Sequence, residues 1–186
     1  SSVVSPSARA SRSTTSGRWC AAAGSASGRL RTKRPFGRGP CASARQSIAV
    51  ATASAAVSAS LGYQDGERIN RSTLIDLLGR IARSVDLPVT ADIETGYGES
   101  LSELELTAQQ VIESGVVGVN IEDSLGKGSG LRSVEEQCQR IAALRQVANH
   151  RGVHLVINAR VDSFVAPSFT DGQRAMEEAV IRARAY

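Results

Sequence analysis

Four short apolar runs in this chain each end on, or lead into, charged and amide side chains, and those residue types could do chemistry together. The run 89–94 stops on Asp92 and Glu94, and Gly96-Tyr-Gly98 follows at once. The run 116–123 carries Asn120 and Glu122, and the run 154–162 carries Asn158, Arg160 and Asp162. Asp65 lies in the loop Gly62-Tyr-Gln-Asp-Gly66, after a first run at 48–54 that ends on Ser54. Residues two apart in a strand point to the same side. Asp92 should therefore share a face with Glu94, Asn120 with Glu122, and Arg160 with Asn158 and Asp162. Carboxylates that converge on one cavity suit a hard divalent cation, bound through oxygen directly or through retained waters. An arginine among them suits a substrate carboxylate, which its planar fork grips with two parallel hydrogen bonds. The set points to metal-assisted chemistry on a small 2-oxo carboxylic acid, the cation polarising the carbonyl and stabilising an enolate. The competing reading is an ion-pair network that merely closes the end of a sheet.

These endings meet only if the runs are neighbouring parallel strands. The intervening segments support that arrangement. Leu74, Ile75, Leu78, Ile81 and Ala82 recur at helical spacing over 72–84, and Pro88 stops that helix. Ser102 with Glu105 predicts a capping box ahead of Leu104, Ala108, Val111 and Ile112. Ser133 with Glu136 predicts a second box, ahead of a stripe through Val134, Cys138, Ile141, Ala142 and Leu144, with Cys138 in the core. Residues 54–66 read as a loop, and 171–186 as a final helix. Apolar strands alternating with amphipathic helices imply parallel βα units, with strands covered on both sides. The fold class is α/β, as part of a (β/α)8 TIM barrel, whose site lies at the carboxyl ends of its strands. A doubly wound sheet is the alternative, but no glycine-rich phosphate turn follows the first strand. A full barrel takes about 250 residues, so residues 48–186 amount to roughly half of one.

Charge divides the 186 residues in two. Residues 1–47 hold nine of the 22 basic residues and none of the 18 acids, leaving 13 bases against 18 acids, a net of −5, in the remainder. The overall charge of +4 thus belongs to a Ser-, Ala-, Arg- and Gly-rich leader and gives no reason to expect a nucleic-acid partner. That leader has no sustained apolar period and cannot offset its ordering entropy, so it reads as disordered. A shifted reading frame or a transit-like targeting segment is the alternative. No window approaches the ~18 apolar residues of a membrane span. Three cysteines without paired spacing predict neither a disulfide framework nor a zinc site, which fits a reducing, cytoplasmic setting. The glycines around Lys127 lack P-loop spacing and suit a gating loop instead.

Four stretches together resemble the isocitrate lyase/phosphoenolpyruvate mutase superfamily. They are Ser60-Leu-Gly-Tyr-Gln-Asp-Gly66, Leu87-Pro-Val-Thr-Ala-Asp-Ile-Glu-Thr-Gly-Tyr-Gly98, Gly118-Val-Asn-Ile-Glu-Asp-Ser124 and Val156-Ile-Asn-Ala-Arg-Val-Asp162. The resemblance implies a Mg²⁺-dependent barrel, with Mn²⁺ as the alternative ion, in an oligomer of identical chains. It implies an enzyme that makes or breaks a C–C or P–C bond next to a 2-oxo acid enolate, with a 2-oxo acid or phosphonate as substrate. It makes Asp92 the direct metal ligand, gives Glu94 and Glu122 metal-bound waters, and lets Asp65 complete the acidic ring. Arg160 would bind substrate, Asn120 would stand beside it, and Ser54 would supply donors to the substrate oxygens. The family's thiol-dependent lyases carry a Lys-Lys-Cys-Gly-His loop. Here the matching loop is Ser124-Leu-Gly-Lys-Gly-Ser-Gly-Leu131, with neither cysteine nor histidine. It leaves Lys127 as the loop's candidate catalytic group and favours the phosphonomutase-like branch over a methylisocitrate lyase. The other implication is a truncated remnant that keeps the site residues without catalysing.

Overall fold

The computed structural model describes residues 49–126 and 128–186. The expected leader, residues 1–47, and Lys127 lie outside the described residues. The elements run β1 (Val50–Ala51), α1 (Ser54–Ser60), α2 (Arg71–Ser84), β2 (Val89–Asp92), α3 (Leu101–Glu113), β3 (Gly118–Glu122), α4 (Val134–His150), β4 (Val156–Arg160) and α5 (Gly172–Ala185). All four strands are parallel and lie in sequence order, β1-β2-β3-β4. A doubly wound sheet reverses its strand order at a switch point. None occurs here, and the order is that of a barrel wall.

Local sequence explains most element boundaries. Asn70 caps α2 by accepting from the Thr73 N–H at 2.8 Å, and Leu74 and Leu78 turn inward. The expected box at Ser102 and Glu105 forms two residues earlier. Ser100 caps α3, and the Glu103 carboxylate reaches back to the amides of both Glu99 and Ser100. The sequence offers Ser-x-x-Glu in both registers, and the earlier one satisfies an extra exposed donor. Ser133 does cap α4, but Glu136 pairs with Arg132 instead of closing the box. Residues 54–60, expected as loop, form α1. Their alanine content favours helix, and Val57 anchors the turn in the core. The first strand accordingly shrinks to two residues. The buried face of α4 also differs from expectation. It is Gln137, Arg140, Ala143, Leu144, Val147 and Ala148, while Cys138 is half-buried and donates to the Ala185 carbonyl.

The core lies between the sheet and its helices. Val89, Ala91 and Ile93 of the β2 segment and Val119 and Ile121 of β3 pack against Leu78, Leu104, Val111 and Leu144. Period two then sends Thr90, Asp92, Asn120, Glu122, Val156, Asn158 and Arg160 to the opposite, inner face. Register levels them: Asp92 stands beside Asn120, Asn120 beside Asn158, and Glu122 beside Arg160. Gly118 sits between Thr90 and Val156, where a Cβ would approach within 3.0 Å of Thr90 and 3.1 Å of Val156. The expectation of strands covered on both sides fails on this inner face. Val156 is 53% exposed, because the described residues supply only one wall and nothing opposes it.

Candidate active site

A cavity of about 500 Å³ opens at the carboxyl ends of the strands. Asp65, Glu67, Glu94, Glu122, Arg160 and Asp162 line it, together with Ser54 and, from the loop 124–131, Ser124, Leu125 and Ser129. Of the strand-end residues read from sequence, Glu94, Glu122, Arg160 and Asp162 line it with Asp65 and Ser54, whereas Asp92, Asn120 and Asn158 are not among its lining residues. Lys127 belongs to that loop but lies outside the described residues. Its neighbours Gly126 and Gly128 adopt positive φ, and Ser124 bridges to Leu131 across the turn.

Backbone N–H groups hold the carboxylates of Asp92 and Glu94. Asp92, at the end of β2, accepts from the Ser54 N–H at 3.1 Å and from the Glu94 N–H at 3.1 Å. The Ser54 amide, expected to face substrate, is thus engaged by Asp92. Glu94 does not continue the strand as the period-two argument required. Its φ is +50°, so the chain has already turned, yet its side chain still lines the cavity. Glu94 Oε2 accepts from the Glu67 N–H at 2.8 Å, and Oε1 accepts from the Tyr97 hydroxyl at 3.3 Å. Burial pushes the Glu94 carboxyl above its usual range, and the nearby Asp65 and Glu67 charges add to the rise. Asn120 lies on the inner face and accepts from Asn158 at 2.7 Å.

Glu122 and Arg160 face each other across β3 and β4. The Arg160 Nη1 lies 2.5 Å from Glu122 Oε1, and its Nε donates to Asp162 at 2.7 Å. Burial drives the Glu122 carboxyl up to about 7, against the opposing pull of Arg160. Burial also works against the Arg160 charge, but Glu122 and Asp162 outweigh it and hold the guanidinium above its usual value. Arg160 is nonetheless exposed enough, at 42% of its side chain, to meet a ligand.

Sequence reasoning missed two residues. Glu67, three residues before the α2 cap, lines the cavity and binds the turn after β2. It stands two residues from Asp65, the only signal available. Arg140 lies buried in α4 and donates to the carbonyls of Thr95, Gly98 and Glu99 at 2.6, 2.9 and 3.2 Å. Its signal was a polar residue on an apolar helical stripe with Gln137 and Leu144.

Among the described residues no three His, Cys, Asp or Glu side chains are close enough to enclose a cation. The donor set still suits Mg²⁺. It is oxygen-only, and a Mg²⁺ site is commonly one or two carboxylates with several retained waters. Glu94 and Glu122 line the cavity and fit that pattern, while Asp92 lies buried at the end of β2, not among the lining residues, with both oxygens accepting backbone N–H groups. Among the described residues no helix is long and apolar enough to cross a membrane.

The chain is similar to several known proteins. The family model described as phosphoenolpyruvate phosphomutase matches residues 18–186, so the match begins inside the basic segment. The chain is 30% identical over 145 residues to the 2-methylisocitrate lyase of Bacillus subtilis (strain 168), covering 74% of this chain and 44% of that protein. A crystal structure of a candidate phosphonomutase from Burkholderia cenocepacia J2315 superposes with a TM-score of 0.70 at 43% identity, covering 75% of this chain and 56% of that one. A phosphonopyruvate hydrolase in complex with oxalate and Mg²⁺ superposes with a TM-score of 0.63 at 27% identity, covering 74% of this chain and 46% of that one. The chain spans about half the length, or less, of the relatives it matches.

Proposed function

Because the chain belongs to the phosphoenolpyruvate phosphomutase family, within the isocitrate lyase/phosphoenolpyruvate mutase superfamily, we propose that it carries a Mg²⁺-assisted site for making or breaking a C–C or P–C bond beside a 2-oxo acid enolate. The observation that carries this reading is the convergence of Asp65, Glu94, Glu122 and Arg160 on one cavity at the strand ends. The segment responsible is residues 48–186. Asp92 would hold the cation directly, and Glu94, Glu122 and Asp65 would hold its waters. Bound there, Mg²⁺ or Mn²⁺ would supply Lewis-acid polarisation of the substrate carbonyl. Arg160 would grip the substrate carboxylate while Glu122 and Asp162 fix its orientation. Asn120 and the Ser54 hydroxyl would orient the acid, and Lys127 is the candidate catalytic group of the loop. The neighbour that binds oxalate and Mg²⁺ supports this class of ligand.

Two further readings keep specific support. The similarity to a 2-methylisocitrate lyase favours C–C cleavage, although the loop 124–131 lacks the thiol of that branch. The lack of cysteine and histidine in that loop leaves the second, a protein that keeps the site residues and binds without turning over. Assembly with further copies of the chain is part of the same proposal, as the family resemblance implies.

The test is a thermal melt of the full 186-residue chain with and without Mg²⁺ plus oxalate, an enolate mimic. A ligand at a hundredfold excess over its Kd adds about 2.7 kcal/mol, which raises the midpoint by roughly 5 °C or more. Asp92→Ala should abolish the rise. No rise in the unsubstituted chain would end the claim of a working metal site.

A further inference from the structure

Three non-glycine residues adopt positive φ among the described residues: Glu67 (+55°), Glu94 (+50°) and Tyr97 (+55°). Each such conformation costs on the order of 1–3 kcal/mol and persists only where its surroundings enforce it. These three are not scattered. The Glu67 N–H donates to Glu94 Oε2 at 2.8 Å, the Tyr97 hydroxyl donates to Glu94 Oε1 at 3.3 Å, and the Tyr97 N–H donates to Glu67 Oε1 at 3.1 Å. The same Glu67 oxygen also accepts from the Thr95 N–H at 2.9 Å and the Thr95 hydroxyl at 2.7 Å. Glu67 thus ties the turn after β2 with its side chain and holds Glu94 with its backbone. Both Glu94 oxygens are fixed by residues that Glu67 touches or is part of.

We infer that Glu67 is a positioning residue that aims the Glu94 carboxylate at the cation site. This rests on the metal-site reading above. A brace for the turn alone would be better served by a neutral side chain, because Asp65, Glu67 and Glu94 line one cavity and their like charges oppose one another. A bound cation removes that opposition, which makes the arrangement intelligible as part of the site. Residues that orient a ligand group are worth about 10–100-fold in metal affinity.

Two amide substitutions isolate the effect. Glu67→Gln keeps the reach and the acceptor oxygen. Glu67→Asn carries the same charge, tolerates positive φ well, and is one methylene too short to reach Thr95 and Tyr97. The Kd of the full chain for Mg²⁺ at saturating oxalate is measured by calorimetry, below each variant's own melting midpoint. Glu67→Asn should bind about 10–100-fold more weakly, and Glu67→Gln should stay close to the unsubstituted chain. Equal affinity for Glu67→Asn and the unsubstituted chain overturns the inference and leaves the metal site standing. Equal loss in both variants also overturns it, since charge alone would then explain the effect. If Glu67→Asn does not fold, Glu67→Asp takes its place, with the same expected weakening. If neither folds, Glu67 is structural and the inference fails. No binding by the unsubstituted chain overturns the proposed function and this inference together.

Discussion

Glu122 is the residue whose environment most constrains behaviour in solution. Burial raises its carboxyl from the ordinary 4.5 to about 7 in the folded chain. Between those values the folded state binds more protons than the unfolded state, so stability falls as pH rises through the window. Glu94, raised in the same direction, adds to the trend. In metal-free buffer the urea midpoint should therefore be higher at pH 5 than at pH 7.5, and Glu122→Gln should flatten the difference. An unchanged slope in that variant would count against the burial of this acid. Mg²⁺ should reverse the trend, because it binds the ionised carboxylates. At this scale the sequence was informative for side chains on strand ends: Asp92, Glu122 and Arg160 follow from period two and strand order alone. It was uninformative for Glu94, whose alignment with Asp92 comes from a left-handed turn and not from the strand. Glu67 escaped for the same reason, since its role depends on a backbone amide and a turn that no side-chain pattern announces.

At the scale of elements, the site depends on α4 as much as on the strands. Arg140, 1% exposed, sends its guanidinium across the core to three carbonyls of the turn 95–99. That turn has little slack. Gly96 has φ +109°, and a Cβ there would lie 2.5 Å from Leu104 Cδ1. Hydrogen bonds from a charged donor contribute about 1.5–3 kcal/mol each, and stranded carbonyls cost more. Arg140→Met should thus destabilise the chain by about 3 kcal/mol or more, read from the denaturant midpoint. A loss below 1 kcal/mol would mean water replaces the guanidinium. Helices α2 and α3 were legible because Leu74, Leu78, Leu104, Ala108 and Val111 repeat cleanly. The α4 face was misjudged because its innermost residues include Gln137 and Arg140, which hydrophobic periodicity discounts. Helix α1 was missed because its small residues carry no amphipathic pattern.

The described residues form one helix-backed wall of a barrel. Sequential parallel order was legible from the alternation of apolar runs and amphipathic helices, and the relatives' structures share it. The uncovered inner face was not legible, because apolar strands announce burial without saying which chain segment provides it. Val156 on β4, Phe164 and Val165 after it, and Met176 and Ile181 on α5 are each more than half exposed, and apolar side chains left in water favour association. The full chain should bind a hydrophobic dye in native buffer and sediment as an assembly, and Val156→Lys with Ile181→Lys should weaken both signals. A monomeric chain that leaves the dye dark would contradict this. The three left-handed residues around Glu94 carry a consequence of another kind. Asn or Gly would relieve the backbone at positions 67, 94 and 97, yet would remove two carboxylates that line the cavity and the hydroxyl that donates to one of them. Thermostability and site chemistry are therefore in direct conflict at these positions. A library screened for heat resistance alone should enrich changes there, and each enriched change should weaken Mg²⁺–oxalate binding if the proposed site operates.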